Sequence, residues 1–145
     1  MPARTRILSI QSSSSDQRLL RALVEELPSE EITLSVLYTP EEGLDQLQDR
    51  SFTLPNLILM GWYFPMETGL RLLQALKADE HLRPVPVVVL ASSLTPAQIQ
   101  AIYTEQAACV IEIPNNLENL QELLRVLRAL WLNVARLPYE RNIVY

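Results

Sequence analysis

Two apolar runs constrain this chain more than any other feature: Leu57-Ile58-Leu59-Met60 and Val85-Pro86-Val87-Val88-Val89-Leu90-Ala91. Neither alternates with polar residues, so each reads as a strand buried on both faces. Such strands belong in parallel sheets covered by helices on either side. The rest of the chain supplies the helices and the remaining strands. Residues 6–10 form a β-type run. Residues 14–27 are predicted helical, with Leu19, Leu20, Leu23, Val24 and Leu27 on one face and Ser14-x-x-Gln17 as a capping box. Residues 32–39 alternate as a strand does. Thr39-Pro40-Glu41-Glu42 opens a helix to about residue 50. Further helices are expected over 67–78, from Thr95-Pro96-Ala97-Gln98 to Glu105, and from Asn115-x-x-Glu118 to about Ala135. Residues 109–113 make the fifth strand. Five βα units in one chain imply a doubly wound α/β domain with a five-stranded parallel sheet and five helices.

Composition enters by exclusion. Among the 145 residues the 12 Lys and Arg are scattered and the net charge is −5, which argues against a nucleic-acid or anionic-membrane surface. Cys109 is the single cysteine, so no internal disulfide forms and a reducing cytoplasm fits. One histidine, His81, and one cysteine leave no His/Cys zinc cluster. The longest apolar runs fall far below the ~18 residues of a membrane span, and the first ten residues do not read as a signal peptide. One domain is expected over 1–138, with a tail over 139–145 and no separate output domain.

In an open doubly wound sheet, sites form at the carboxyl ends of the strands. The four Asp residues, Asp16, Asp45, Asp49 and Asp79, all fall on helices or after them. No strand end carries Asp or Lys. Such a site lacks a carboxylate cage for Mg²⁺ and a general acid–base pair. His81 reads as a surface residue, Cys109 as a packing residue, and Glu67, Glu105 and Glu112 as solvated. The Ser12–Ser15 run reads as helix capping; a phosphate cradle there lacks the glycine that lets the backbone approach closely.

At this point the residues resemble a family. Leu57-Ile58-Leu59-Met60 with Pro65 beyond Gly61, Lys77-Ala78-Asp79 leading to the run that follows Val85, and Leu130-Trp131-Leu132-Asn133-Val134-Ala135-Arg136-Leu137-Pro138 are together similar to the CheY-like receiver domains of response regulators. The likeness is to the single-domain type that partners cyanobacterial phytochromes, and it runs from about Arg4 to Pro138. It implies a flavodoxin-like fold with strand order 2-1-3-4-5. It also implies a phosphoryl-accepting Asp where Gly61 stands, a metal-holding acidic pair at Gln11 and Ser12, and a Thr or Ser at Ala91. A Lys is implied at Ile113 and a switch aromatic at Val110. Phosphoryl transfer relies on positioning and charge neutralisation, and these substitutions remove both. The expectation is therefore a degenerate receiver, a pseudo-receiver that is not an enzyme and takes no cofactor.

The resemblance implies two-component signalling in the cytoplasm, with a histidine-kinase or phytochrome-like protein or another regulator as partner. A homodimer is expected through the face made by the helix opening at Thr95, the fifth strand and the last helix. Tyr103, Val110, Leu123, Leu130 and Leu137 are its candidate residues. The last helix carries two apolar stripes: Leu117, Leu120, Leu124, Leu127, Trp131 and Val134, and then Leu123, Leu130 and Leu137. One stripe covers the sheet; the second suggests a partner. In Trp62-Tyr63-Phe64, Tyr63 is a further candidate contact, while Trp62 and Phe64 are expected to pack. Two alternatives are kept. One is a small-molecule sensor using an apolar notch among Gln11, Gly61, Ala91 and Ile113; the other is a flavin-binding enzyme using the serine loop.

Overall fold

Side-chain alternation within the strands decides the architecture. The structure, a computed structural model, describes residues 5–11, 17–28, 30–37, 45, 53–62, 65–114 and 116–139. Its elements are β1 (Thr5–Ile10), α1 (Gln17–Glu26), β2 (Ile32–Leu37), β3 (Leu57–Gly61), α2 (Met66–Ala78), β4 (Val87–Ala91), α3 (Pro96–Thr104), β5 (Cys109–Glu112) and α4 (Leu117–Leu127), the last continuing as a π-helix over Arg128–Val134. All pairings are parallel and the sheet order is β2-β1-β3-β4-β5. Four α-helices are described. The helix expected between β2 and β3 lies outside the described residues except for Asp45, which is helical and exposed.

Every residue of β3 and β4 is buried, because successive side chains enter different layers. Ile58, Met60, Val87 and Val89 pack with Leu72, Leu73 and Leu76 of α2 and Ile102 of α3. Leu57, Leu59, Val88 and Leu90 pack with Leu23 and Leu27 on the α1 side and Leu120, Leu124 and Leu127 of α4. Strand β4 begins at Val87, two residues later than its apolar run suggests. Pro86 has no N–H for the ladder, and the Val85 N–H is spent in a turn, donating to the Leu82 carbonyl at 2.9 Å.

The Thr95 capping box forms as expected: the Gln98 N–H donates to Thr95 Oγ1 at 3.2 Å and the Thr95 N–H to Gln98 Oε1 at 2.8 Å. The last helix is capped one residue later than expected, by Asn116, whose Oδ1 accepts from the Asn119 N–H at 2.8 Å. The Ser14 box lies outside the described residues. Val24, assigned above to the buried face of α1, is 48% exposed; Ala22 is buried on that helix instead.

The end of the last helix corrects a larger expectation. The Ala135 N–H donates to the Leu130 carbonyl, five residues back, at 2.7 Å. This widened turn shifts the register that a uniform helical step would keep. Val134 leaves the core stripe and is 71% exposed, while Leu132 and Ala135 pack inward with Trp131. The chain then runs back under the amino ends of the strands as a strap. Asn56 Nδ2 donates to the Pro138 carbonyl at 2.8 Å, Arg6 Nη2 to the Tyr139 carbonyl at 3.1 Å, and the Tyr139 hydroxyl to the His81 carbonyl at 2.7 Å. Tyr139, expected to begin a tail, is thus fastened to the body.

Candidate functional site

The strand carboxyl ends hold the positions singled out by sequence, and the backbone explains where each side chain goes. Gln11 follows β1, with its N–H donating to the Leu37 carbonyl at 2.7 Å. Its side chain is fully buried, and Nε2 donates to Ser9 Oγ at 2.6 Å. Gly61 ends β3 in register with Leu90 and is buried. Ala91 ends β4 and belongs to the layer under α2 and α3. Ile113 donates its N–H to the Ala91 carbonyl at 2.8 Å, but its side chain joins the opposite layer, under α1 and α4. The four do not converge on one open notch: two helical layers take Ala91 and Ile113 apart, and Gln11 is drawn onto Ser9. Ser12 lies outside the described residues. Ser92 and Ser93 are exposed.

A hard divalent cation needs carboxylate or carbonyl oxygens held around it. An aliphatic side chain at 113, a methyl at 91, none at 61 and an amide turned to a hydroxyl at 11 do not fit one. Among the described residues no group of His, Cys, Asp or Glu is placed to hold a metal.

Trp62 packs, as its neighbours require. It is 4% exposed, and its indole N–H donates to Met66 Sδ at 3.2 Å. Its ring lies against Gly69 of α2, where a Cβ would come within 2.6 Å of it. Tyr63 and Phe64 lie outside the described residues. Lys77, Asp79 and His81 sit at the opposite pole and close the α2–β4 turn. Lys77 Nζ donates to the carbonyls of Val85 at 2.8 Å and Arg83 at 3.2 Å, and Asp79 Oδ1 accepts from the His81 and Leu82 N–H groups. Burial pushes the Lys77 ammonium below the usual lysine pKa. These residues are structural.

What opens at the carboxyl ends is a cleft between α3 and β5. It measures about 250 Å³ and is lined by Ala91, Leu94, Ile99, Val110, Ile111 and Glu112. The short side chains of Ala91 and Val110 leave part of this space. Sequence reasoning named those two and missed Leu94, Ile99 and Ile111, whose only signal is an apolar residue on each side of the Thr95-Pro96 cap and in the strand. Tyr103 of α3 is exposed, and its hydroxyl accepts from the Val110 N–H at 3.0 Å. It therefore covers an outward amide of the edge strand. Cys109 beside it is half-buried; burial raises its thiol pKa and a hydrogen bond with Tyr103 lowers it, burial being the larger effect.

The candidate contact residues of the last helix separate. Leu130 is 50% exposed, and Val126 and Val134, not singled out as contacts from sequence, are exposed with it. Leu123 is half-buried and packed on the chain's own core. Leu137, expected on a partner surface, is 8% exposed and inside that core. The strap beyond the helix turns it inward.

With this geometry the chain can be compared with known proteins. No protein-family profile matches it. It is 27% identical over 139 residues to the response regulator Rcp1 of Synechocystis, covering 91% of this chain and 92% of that protein. The Mn²⁺-bound form of response regulator Rcp1 superposes with a TM-score of 0.79 at 26% identity, over 92% of this chain and 99% of the other. The phosphorylated cyanobacterial phytochrome response regulator RcpA does so with a TM-score of 0.80 at 25% identity, over 94% and 99%.

Proposed function

We infer that this chain, a response-regulator receiver domain by sequence and fold, signals through protein contacts without accepting a phosphoryl group or holding Mg²⁺. The observation that carries the reading is Gly61. It stands buried at the carboxyl end of the central strand, where the family resemblance implies the accepting Asp, and it offers no nucleophile. Gln11, Ala91 and Ile113 support it, since none supplies a carboxylate, a sensing hydroxyl or a cation. The two similar structures were seen with a metal in one case and phosphorylated in the other; both states are properties of those proteins. On this reading the chain is no enzyme, resides in the cytoplasm, and engages a kinase, a phytochrome-like protein or another regulator. It also pairs with a second copy through the exposed apolar residues of its last helix and π-helix. No helix among the described residues is long and apolar enough to cross a membrane.

Intact mass after incubation with acetyl phosphate and Mg²⁺ tests the central claim. The expected outcome is an unchanged mass. A stoichiometric, acid-labile gain of one phosphoryl group would overturn it.

A further inference from the structure

The last helix changes pitch where nothing in its own sequence asks for it. Arg128-Ala129-Leu130-Trp131-Leu132-Asn133-Val134 contains no Pro or Gly, and its alanine and leucines favour an ordinary α-helix. A π segment is rare, and its hydrogen bonds span one residue more than those of the α form. Other parts of the chain hold both of its ends. At the start, Arg128 Nη2 donates to the Glu26 and Leu27 carbonyls at the close of α1. Beyond the end, the strap is fastened to Asn56, Arg6 and the His81 carbonyl, and Leu137 is buried behind it. One residue step of an α-helix turns the chain by about 100°. An α-helical 128–134 would therefore aim the strap away from those anchors, and the widened turn persists because the strap is fastened.

The sequence also fits the other pitch. In a continuous α-helix Val134 would stand two turns after Leu127 and within about 20° of it, and Leu127 is buried. Val134 would then enter the core stripe that it now leaves, and Leu137 would lose its burial as the strap swings off. Each pitch buries one aliphatic side chain that the other exposes. Two packings of similar content, one residue step apart, make a two-state element.

We propose that Arg128–Val134 is a register switch: π-helical with Val134 outward while the strap is fastened, α-helical with Val134 inward once the strap is released. Val126, Leu130 and Val134 are all exposed in the fastened state. Release thus withdraws one of the three from the surface assigned above to pairing with a second copy. That consequence rests on the self-association reading; the switch does not. By linkage, whatever unfastens the strap weakens pairing, and pairing holds the strap.

Thiol labelling of the full chain tests the switch. In a Cys109→Ser background, Val134→Cys is expected to react fast and Leu137→Cys slowly. Asn56→Ala with Tyr139→Phe loosens the strap. It should slow labelling at position 134 at least about fivefold and speed it at position 137 at least about tenfold, since access governs the rate. A faster position 137 with position 134 unchanged would mean that the strap frays without a change of register, and would overturn the proposal. So would rates that stay the same at both positions. Val134 is exposed, so its variant reports even if Leu137→Cys fails to fold. Deletion of the exposed Asn133 supplies a second measurement. It removes the extra residue and leaves the strap in phase, so the melting temperature should hold or rise, and loosening the strap should no longer slow labelling at position 134. A fall in melting temperature on this deletion would show that the π turn is intrinsic and would overturn the switch. Sedimentation separates the two readings: a monomeric wild type would sink self-association and leave the labelling result standing.

Discussion

Single side chains set the tolerance of this fold at two places. The first is Gly69, whose missing Cβ gives room to the Trp62 ring; added atoms would lie 2.6–2.9 Å from three ring carbons. Both partners are buried, so neither yields cheaply. Gly69→Ala is expected to destabilise by about 1–3 kcal/mol, the usual cost of overpacking. Urea unfolding checks it, and an unchanged midpoint would show that the Trp62 ring moves freely. The second is Cys109. Burial raises its thiol pKa from 9.0, so the folded state favours the protonated form. The sign follows: this contribution to stability is complete below pH 9.0 and is lost as pH rises through the folded-state value. Alkylation by iodoacetamide at pH 8 should be slower than for an unfolded control, because the thiolate is the nucleophile. Equal rates would contradict the assignment.

At the scale of elements, the strap is held by residues distant in sequence. Asn56 is fully buried, accepts from the Arg6 N–H at 2.7 Å and donates to the Pro138 carbonyl at 2.8 Å. Asn56→Ala would remove both bonds and leave groups on the two segments unmatched. A loss of about 2 kcal/mol is expected, together with faster hydrogen exchange at the Arg6 amide. Exchange as slow as in the wild type would mean that Asn56 does not fasten the Arg6 segment, leaving the strap to the Arg6–Tyr139 and Tyr139–His81 hydrogen bonds and its apolar contacts. These same elements show what the sequence makes legible. The strands β3 and β4 were readable because burial on both faces writes an unbroken apolar run, and α3 because its cap is local, within Thr95–Gln98. The π-helix was not: no Pro or Gly marks Arg128–Val134, and a one-residue change of register leaves no trace in the spacing. The strap was not either, since Arg6, Asn56 and His81 meet Pro138 and Tyr139 only in three dimensions. At the site, the uncharged residues Gly61, Ala91 and Ile113 were legible one by one. The cleft was not, because Leu94, Ile99 and Ile111 gain meaning only when α3 is laid against β5.

For the whole molecule, the exposed apolar residues Leu130 and Val134 predict association. Leu130→Asp with Val134→Asp should convert a dimer to a monomer by sedimentation. The melting temperature should hold, since both side chains lie mostly in solvent and such positions tolerate change. A dimer that survives both changes would place self-association elsewhere. Leu123 and Leu137 are unsuited to this test because each packs on the chain's own core. The strap has one more consequence, for connectivity. By setting the Tyr139 carbonyl 3.1 Å from the Arg6 guanidinium, it brings the two ends of the described body to one pole. A short peptide joining them would close a ring at little entropic cost. The chain can then be reopened between Ser92 and Ser93, which are exposed after β4, giving a circularly permuted protein in which the same sheet is drawn from a different starting strand.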